Sequence, residues 1–536
     1  MPQEIRSFSL FAPEDAKPCT SLNETTVNDL SLDYLSRRLA KNDTEQATLF
    51  RMLQELPTDL ATVQWRQAVY RDLREDPAFC AALMEIFDAM QFGALDDGYA
   101  NYSNSGILQL IDRVRTLEQY CTAISSIREL LKGRTFRSEA MQQFSQFITD
   151  IYESSGFSAL SEDIRVLGDD ILCIKSMTLG VNFDHNFAPA EVGILSLNTY
   201  EFGEKGFLEK FIQFHRKRHP EDKDLKQFTM VTHTKPAEAK ENLLMNNLNR
   251  LIEEMLPTVT TKLRRVLKRY SDMSGILLSR LGDELLFYAR FIGLEQRLTE
   301  KGYACTMPDC TTQDTHLRGF YNVKLALCKL DGIIGNEIIC NDVDFTQAHT
   351  ILLLTGPNQG GKTVFTQGIG LAFLLAQHGV FAPCAEGQLR LCDGIFTHFP
   401  ADENRTVSFG RLGEEAVRFR EICAAATADS LLLFNESFTT TSHTESLYIA
   451  RNALQYLCVL GARTCFNTHM HELAADPDAL RTEQAVCGAV SIVMGKRGTP
   501  EAYRVKEAPP DGISDAKAIA EQYGITFGQL CGDTQA

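Results

Sequence analysis

The sequence lacks the features that mark membrane, secreted and fibrous proteins. No stretch approaches the ~20 consecutive apolar residues that a membrane-spanning helix needs, and the N-terminal run MPQEIRSFSLFAPED has acidic residues where a signal peptide has an apolar core. Low-complexity tracts and internal repeats are absent too, and the 15 cysteines are an odd number, which favours reduced thiols over a disulfide framework. With 44% hydrophobic residues, the composition is typical of a globular protein. We therefore expect a cytoplasmic protein that makes no membrane contact.

An excess of positive charge is also lacking. The chain has 53 basic and 70 acidic side chains, so its formal net charge is 53 − 70 = −17. A polyanion such as a nucleic acid could bind such a chain only where positive charge is concentrated locally. Residues 201–270 form such a window, because they hold 15 Lys and Arg against 10 Asp and Glu.

Six basic residues of this window are the candidates for contact with a phosphate backbone. They are Arg216, Lys217, Arg218, Arg264, Arg265 and Lys268. Lysine and arginine side chains bind nucleic acid by neutralising phosphates and releasing counterions. A solvated basic helix face is the alternative interpretation, and the sequence favours neither.

The spacing of apolar residues divides the chain into a helical half and an α/β half. From about residue 44 to residue 301, apolar side chains recur every three and four positions, except for an extended run, VGILSLNTY, that predicts a strand or connector. The stretch from Pro257 to about Lys301 fits either one long helix or two helices broken near Ser274 and Gly275. After about residue 331, strands, a glycine loop and helices alternate, which is typical of a largely parallel sheet.

A phosphate-binding loop is the most specific motif in the sequence. It follows the pattern G-x-x-x-x-G-K-S/T, between the apolar strand HTILLLTG and a predicted helix, and consists of Gly356, Pro357, Asn358, Gln359, Gly360, Gly361, Lys362 and Thr363. Glycines let backbone N–H groups close around phosphates, the lysine reaches the β- and γ-phosphates, and the Thr363 hydroxyl can bind Mg²⁺. The sequence therefore predicts an ATP and Mg²⁺ site.

Polar residues end two further buried strands. Asn435 and Glu436 follow LLLF, and His469 follows the strand of ARTCFN. In a parallel sheet these residues emerge at the same carboxyl edge as the phosphate loop. Glu436 is then the candidate for activating the attacking water, and His469 for contacting the γ-phosphate or polarising the water. Asn435 stands where P-loop ATPases carry an acid that helps to hold Mg²⁺, and because an amide has no charge, weaker Mg²⁺ binding and slower turnover are expected.

These motifs, taken in order, resemble the ATPase domain of the MutS family of DNA mismatch repair proteins. TGPNQGGKT is similar to that family's phosphate loop, FAPC and DGIFTHF to the segments after it, and THMHEL to its TH-x-x-EL switch, which contains His469. The resemblance places Thr406, in NRTVSF, at the position that contacts the γ-phosphate bound by a partner subunit. The segment SFTTTSHTES departs from the family's glycine-containing pattern, and the N-terminal mismatch-recognition domain has no counterpart.

The resemblance implies an α/β ABC-type P-loop ATPase domain with a mixed, largely parallel sheet, preceded by a mostly α-helical core and lever domain. The predicted organisation is an N-terminal segment (1–42), a helical core (43–200), a basic connector or clamp-like region (201–256), a lever helix with connector (257–330) and the ATPase domain (331–536).

Three functions fit these predictions. The first is an ATPase of the MutS type, acting as an ATP-gated homodimer on mismatched, branched or distorted DNA, in mismatch repair or recombination and with a MutL-like protein as a further candidate partner. The second is an ATP-binding switch that hydrolyses slowly and acts on a protein partner, which the amide at Asn435 and the acidic composition favour. The third, a small-molecule kinase, has less support because no acceptor-binding pattern is visible.

Overall fold

The computed structural model of the chain describes most of the sequence, but not all of it. The described residues are 9–89, 107–167, 176–183, 185, 189–198, 232–233, 257–270, 276–357, 360–400, 411–496 and 499–510.

Helices predominate up to residue 300. In chain order the elements there are β1 (Thr20–Ser21), α1 (Glu24–Asp29), α2 (Leu32–Leu39), α3 (Asp43–Leu53), β2 (Glu55–Leu56), α4 (Leu60–Glu75), α5 (Pro77–Asp88), α6 (Ile107–Leu131), α7 (Glu139–Glu153), α8 (Ser155–Leu167), β3 (Ser176–Phe183), β4 (Pro189–Asn198), β5 (Thr232–His233), α9 (Pro257–Arg269) and α10 (Ile276–Glu300).

Strands and helices alternate after residue 314. The elements are β6 (Thr315–Phe320), α11 (Val323–Leu330), β7 (Asn341–Phe345), β8 (His349–Thr355), α12 (Lys362–Gln377), β9 (Glu386–Gln388), β10 (Ile395–His398), α13 (Arg411–Ala425), β11 (Leu431–Asn435), α14 (His443–Leu460), β12 (Arg463–Asn467), α15 (His471–Ala475), a 3-10 helix (Pro477–Leu480), β13 (Gly488–Met494) and β14 (Val505–Glu507).

The chain forms two compact units. The first comprises residues 1–80, 136–141 and 283–536, and the second comprises residues 81–135 and 142–282. The domain boundaries given above follow sequence pattern and stay predictions, but residues 1–80 share one unit with the α/β half. Glu284 on α10 shows how they are held, since its carboxylate accepts hydrogen bonds from the Leu10 N–H at 2.7 Å and the Ser9 hydroxyl at 2.6 Å.

A six-stranded sheet is the centre of the first unit. Its strand order is β10-β11-β12-β8-β13-β14, and every neighbouring pair is parallel except β13 and β14. The strands predicted from HTILLLTG, DSLLLF and ARTCFN and the helices predicted after the phosphate loop and in ESLYIARNALQYLCVLG are all present. Helices on the sheet bury strands β8 and β11 almost completely, which explains their continuous apolar runs. The last predicted helix, in SDAKAIAEQYG, lies outside the described residues.

A smaller sheet in the same unit has the strand order β7-β6-β9 and is antiparallel. Tyr321 and Asn322, which directly follow β6, lead the chain into α11. The Asn322 side chain caps that helix by accepting a hydrogen bond from the Leu325 N–H. The same side chain donates to the Val364 carbonyl on α12, so the small sheet is tied to the helix after the phosphate loop.

The second unit is mainly helical. Helix α9 packs on α6 and α8, and its Leu263 and Leu267 are buried. The run VGILSLN forms part of β4, which pairs antiparallel with β3. The strand predicted there is confirmed. The predicted lever segment contains α9 and α10, and the residues near Ser274 and Gly275, where the sequence offers either a continuous helix or a break, lie outside the described ones.

Within the described part of the chain, no helix is long and apolar enough to cross a membrane. Every cysteine among the same residues is a free thiol.

A buried histidine at the end of β10 predicts a loss of stability in acid. His398 is 3% exposed, and burial lowers its pKa to about 4. In the unfolded chain the pKa is about 6.5, so the unfolded state takes up the proton first as the pH falls. The contribution of His398 to stability is therefore complete above pH 6.5 and is lost between about pH 6.5 and pH 4. At pH 5 we expect a loss of about 2 kcal/mol from this residue alone.

Denaturant unfolding at pH 7 and pH 5 measures this effect. The His398→Asn variant, which has no titrating group, is expected to show a smaller drop in unfolding free energy between the two pH values. An equal drop in both proteins would contradict the assignment of a neutral, buried His398.

Candidate nucleotide-binding site

The predicted phosphate loop connects β8 to α12. Gly356 has a φ angle of +142°, and a Cβ atom there would lie 2.8 Å from the backbone oxygen of Met494. Gly361, which caps α12, has a φ angle of +92°. Glycine adopts such angles without strain, and the missing side chains leave the backbone open to close approach by a ligand. The free N–H groups of the first turn of α12 give this end of the helix a positive potential suited to phosphate.

Lys362 is the first residue of α12 and is 4% exposed. Its Nζ donates to the carbonyl oxygens of Gly356 at 3.0 Å and Pro357 at 3.1 Å, so the side chain folds back across the loop. Burial lowers the pKa of Lys362, and the negative charge of Glu436 opposes that shift. The loop thus holds a desolvated ammonium group beside Glu436.

Thr363, Asn435 and Asn467 form a hydrogen-bonded group at the carboxyl edge of the sheet. The Thr363 hydroxyl donates to Asn435 Oδ1 at 3.0 Å, and Asn467 Nδ2 donates to the same oxygen. Asn435 and Asn467 are directly paired across β11 and β12 and are both buried. Asn435 therefore orients the threonine hydroxyl, and this role was not part of the sequence prediction. The sequence did not indicate Asn467 as a site residue, because a polar residue at the end of a strand does not reveal which side chain it will contact.

This group fits Mg²⁺ as that ion binds beside nucleotides. Mg²⁺ prefers oxygen ligands, keeps several waters and takes only one or two protein ligands in addition to phosphate oxygens. The Thr363 hydroxyl has a free lone pair for the ion while its proton is held by Asn435. The amide oxygen of Asn435 carries no net charge, so the attraction is weaker than that of a carboxylate.

Glu436 and His469 meet at the same edge of the sheet. His469 Nε2 lies 2.7 Å from Glu436 Oε1, and each side chain is about one-third exposed, at 36% for the histidine and 34% for the glutamate. The hydrogen bond from His469 is the main cause that lowers the pKa of Glu436, and the charge of Lys362 adds to it. A carboxylate held in this way is ionised at neutral pH and accessible to water.

A cavity of about 290 Å³ adjoins the phosphate loop. Its lining includes Ile338, Ile339 and Tyr503. Its apolar walls beside a phosphate site suit the base of a nucleotide. Sequence reasoning did not find this pocket, because most of its lining comes from segments far from the phosphate loop along the chain, which carry no motif.

Several of the predicted site residues cannot be placed. Asn358, Gln359 and Thr406, and the basic residues Arg216, Lys217 and Arg218, lie outside the described residues. Arg264, Arg265 and Lys268 lie on α9, where Arg265 and Lys268 are exposed and Arg264 is partly buried. The structure thus brings together Lys362, Thr363, Asn435, Glu436 and His469 of the predicted nucleotide site.

Two family models match the chain. MutS domain V matches residues 352–526, which include the phosphate loop, Glu436 and His469, and the MutS2 N-terminal domain matches residues 58–301. The resemblance to MutS proteins that the sequence predicts is therefore confirmed for two segments of the chain.

Curated proteins that are similar to this chain are named DNA mismatch repair protein MutS or MutS 2. The DNA mismatch repair protein MutS of Shouchella clausii is 35% identical over 193 residues, which are 36% of this chain and 21% of that protein. The MutS protein of Chlorobium chlorochromatii is 34% identical over 209 residues, covering 35% of this chain and 24% of the relative. DNA mismatch repair protein MutS 2 of Halobacterium salinarum is 35% identical over 141 residues, covering 26% of this chain and 16% of the relative. Each match spans about a quarter or less of the relative.

Proposed function

We propose that this chain, in which a MutS domain V follows a MutS2 N-terminal domain, is an ATPase that binds mismatched, branched or distorted DNA as an ATP-gated dimer. The main support for the proposal is that Lys362, Glu436 and His469 lie close together at the carboxyl edge of the six-stranded sheet. A cation for phosphate and a carboxylate for water at one sheet edge is the arrangement that phosphoanhydride hydrolysis needs.

The residues of the loop bind and orient ATP. Lys362 exchanges its bonds to the loop carbonyls for the β- and γ-phosphates, and the N–H groups at the start of α12 hold the same phosphates. Mg²⁺, when bound, neutralises the charge that develops on the phosphate oxygens. Thr363 and Asn435 are the residues that would hold the ion. The base occupies the cavity between Ile338, Ile339 and Tyr503.

Glu436 positions the attacking water. Because its pKa is lowered, the carboxylate is a weak base, and its main effect is to accept a hydrogen bond from the water and orient it toward the γ-phosphate. His469 fixes the carboxylate through Oε1 and lies close enough to respond to a phosphate at the same edge. In the proposed dimer, Thr406 of one subunit contacts the γ-phosphate held by the other, so that ATP favours association and hydrolysis reverses it.

DNA binding is proposed for the exposed basic face of α9. On this helix the side chains of Leu263 and Leu267 are buried, while those of Arg265 and Lys268 are exposed to solvent. Arg269 Nη1 lies 3.0 Å from Asp163 Oδ2 on α8, which offsets the charge of this arginine. Arg216, Lys217 and Arg218 remain candidates for further phosphate contacts. We propose that recognition follows the shape and deformability of the DNA.

Fluorescence anisotropy with duplex, mismatched and four-way-junction DNA tests this binding at several salt concentrations. Log affinity should fall steeply with log salt, by about 0.9 per phosphate contact. The double variant Arg265→Ala and Lys268→Ala should weaken binding and reduce that slope by about 2. Lys132→Ala is the control, because it removes an exposed lysine that directly follows α6 in the same unit. Salt-independent binding, or an unchanged slope in the double variant, would contradict the proposed surface.

The Asn435→Asp variant is expected to bind Mg²⁺ more tightly. The new carboxylate can still accept the hydrogen bonds from Thr363 and Asn467, and it adds the missing negative charge. Charge-assisted contacts are about twice as strong as neutral ones, so the Mg²⁺ concentration for half-maximal hydrolysis should fall by roughly tenfold. Titration of Mg²⁺ at saturating ATP measures the effect. Asn452→Asp, which makes the same change on an exposed face of α14, should leave the titration unchanged.

A further inference from the structure

The turn that presents Glu436 has an unusual backbone. Glu436 has a φ angle of +53° and Phe438 one of +63°, so two non-glycine residues out of three are left-handed. A non-glycine residue in this region is strained and persists only where its surroundings hold it. The Glu436 N–H donates to the Asn467 carbonyl at 2.9 Å, which continues the pairing of β11 with β12. The residues that follow Glu436 leave the sheet and need other partners.

Glu415 on α13 supplies those partners. Its carboxylate accepts a hydrogen bond from the Phe438 N–H at 2.5 Å and a second one from the Thr440 side chain. Both bonded groups belong to the turn that begins at Glu436. The carboxylate is partly buried, and burial raises the pKa of Glu415 while these hydrogen bonds and Arg418 oppose the shift. The carboxylate is therefore desolvated in part, and its hydrogen bonds to Phe438 and Thr440 join α13 to the turn after β11.

His398 holds the residue between the two left-handed positions. Its Nε2 lies 3.2 Å from the Glu415 carbonyl, which only accepts, so Nε2 carries the proton. Its Nδ1 then accepts a hydrogen bond from the Ser437 hydroxyl at 2.7 Å. The ring of Phe438 is fully buried and packs edge-on against Phe419 of α13 at 5.4 Å. The turn is thus fixed by α13 and by the end of β10.

We propose that Glu415 is a positioning residue for ATP hydrolysis: it holds the left-handed turn at Glu436–Phe438, and so keeps the Glu436 carboxylate beside His469 and Lys362. This role rests on the proposed function, because it acts through Glu436. Loss of the acceptor would leave the Phe438 N–H unpaired and let the turn relax toward an ordinary backbone. The Glu436 carboxylate would then leave its place relative to the attacking water.

The kinetics of two variants at the same position test the role. In Glu415→Ala, kcat should fall at least about tenfold while the KM for ATP changes less than about twofold, since small misplacements of a reacting group cost this much. Glu415→Gln retains an oxygen that can accept from the Phe438 N–H, so it should restore kcat to within about threefold of the wild type. Glu421→Ala removes an exposed carboxylate from the same helix and should behave as the wild type does.

The outcomes separate this role from the function on which it rests. A wild-type kcat in Glu415→Ala, together with an inactive Glu436→Gln, would overturn the role of Glu415 and leave the ATPase assignment intact. If Glu415→Ala raised the KM for ATP as much as it lowered kcat, and Glu415→Gln did not restore either, the substitution would have disturbed the structure in general. That result would also overturn the role of Glu415. Absence of hydrolysis by the wild-type protein would overturn the ATPase assignment and this role with it. Thermal unfolding of Glu415→Gln, expected within a few degrees of the wild type, shows that the rescue is measured on folded protein.

Discussion

Glu436→Gln should reduce ATP hydrolysis by about 10²–10³-fold and leave ATP affinity within a few-fold of the wild type. The glutamine has nearly the same shape, so the turn at Glu436–Phe438 and the bond to His469 can persist, but the negative charge that orients the water is gone. In the proposed site Lys362 and the start of α12 hold the phosphates, so nucleotide binding should not depend on this carboxylate. Single-turnover hydrolysis and equilibrium binding of ATP measure the two quantities separately.

The same variant should remain bound to ATP and accumulate as the closed dimer. Size-exclusion chromatography with ATP is expected to show a larger species that wild-type protein forms only transiently. Glu421→Gln, with the same chemical change on the exposed side of α13, is the control for both experiments. Hydrolysis at the wild-type rate in Glu436→Gln would mean that another group positions the water.

Lys362→Ala should lose ATP binding by at least about 100-fold, which is about 2.7 kcal/mol. Lys362 is desolvated by the loop, and its ammonium is already oriented by the carbonyls of Gly356 and Pro357, so little ordering is needed when phosphate replaces them. A buried cation meeting a phosphate in this setting makes one of the stronger contacts in the site. Isothermal titration with a non-hydrolysable ATP analogue gives the affinity directly.

The matched control for this variant is Lys506→Ala, which removes an exposed lysine from β14 in the same sheet. Its ATP affinity should equal that of the wild type. Retained affinity in Lys362→Ala would contradict the assignment of the loop between β8 and α12 as the phosphate site.

Local sequence pattern was sufficient for the parts of the fold in which neighbours along the chain determine the structure. The strand, loop and helix around Gly356–Thr363 are one continuous segment, and apolar runs mark β8, β11 and β12 because those strands are covered on both faces. From there, the rule that parallel strands end at one edge brings Glu436 and His469 together, and the 2.7 Å contact agrees with it.

Long-range contacts could not be predicted in this way. Asp29 on α1 accepts from Arg418 on α13 at 2.9 Å and from the Thr397 hydroxyl at 2.6 Å, although 368 and more positions separate the partners. No periodicity in either segment indicates the other, so the sequence places residues 1–42 apart from the α/β half. Glu415 was missed for the same reason, because its partners lie in the turn after β11 rather than along its own helix.

The amide at Asn435 illustrates what a motif comparison leaves out. The sequence predicts a weakened metal position there, from the missing charge alone. The structure adds that the amide oxygen receives hydrogen bonds from both Thr363 and Asn467. Asn435 therefore orients the Thr363 hydroxyl, and an uncharged amide is sufficient for this role. This is why we expect Asn435→Asp to change the Mg²⁺ requirement more than the architecture of the site.

Steady-state ATP hydrolysis by the purified wild-type protein, with Mg²⁺ and with or without duplex, mismatched and four-way-junction DNA, tests the central proposal most directly. We predict hydrolysis that Glu436→Gln abolishes and that one form of DNA stimulates, with the stimulation fading as salt is raised. Tight ATP binding without turnover and without any response to DNA would contradict the proposal and would favour a nucleotide switch that acts on a protein partner.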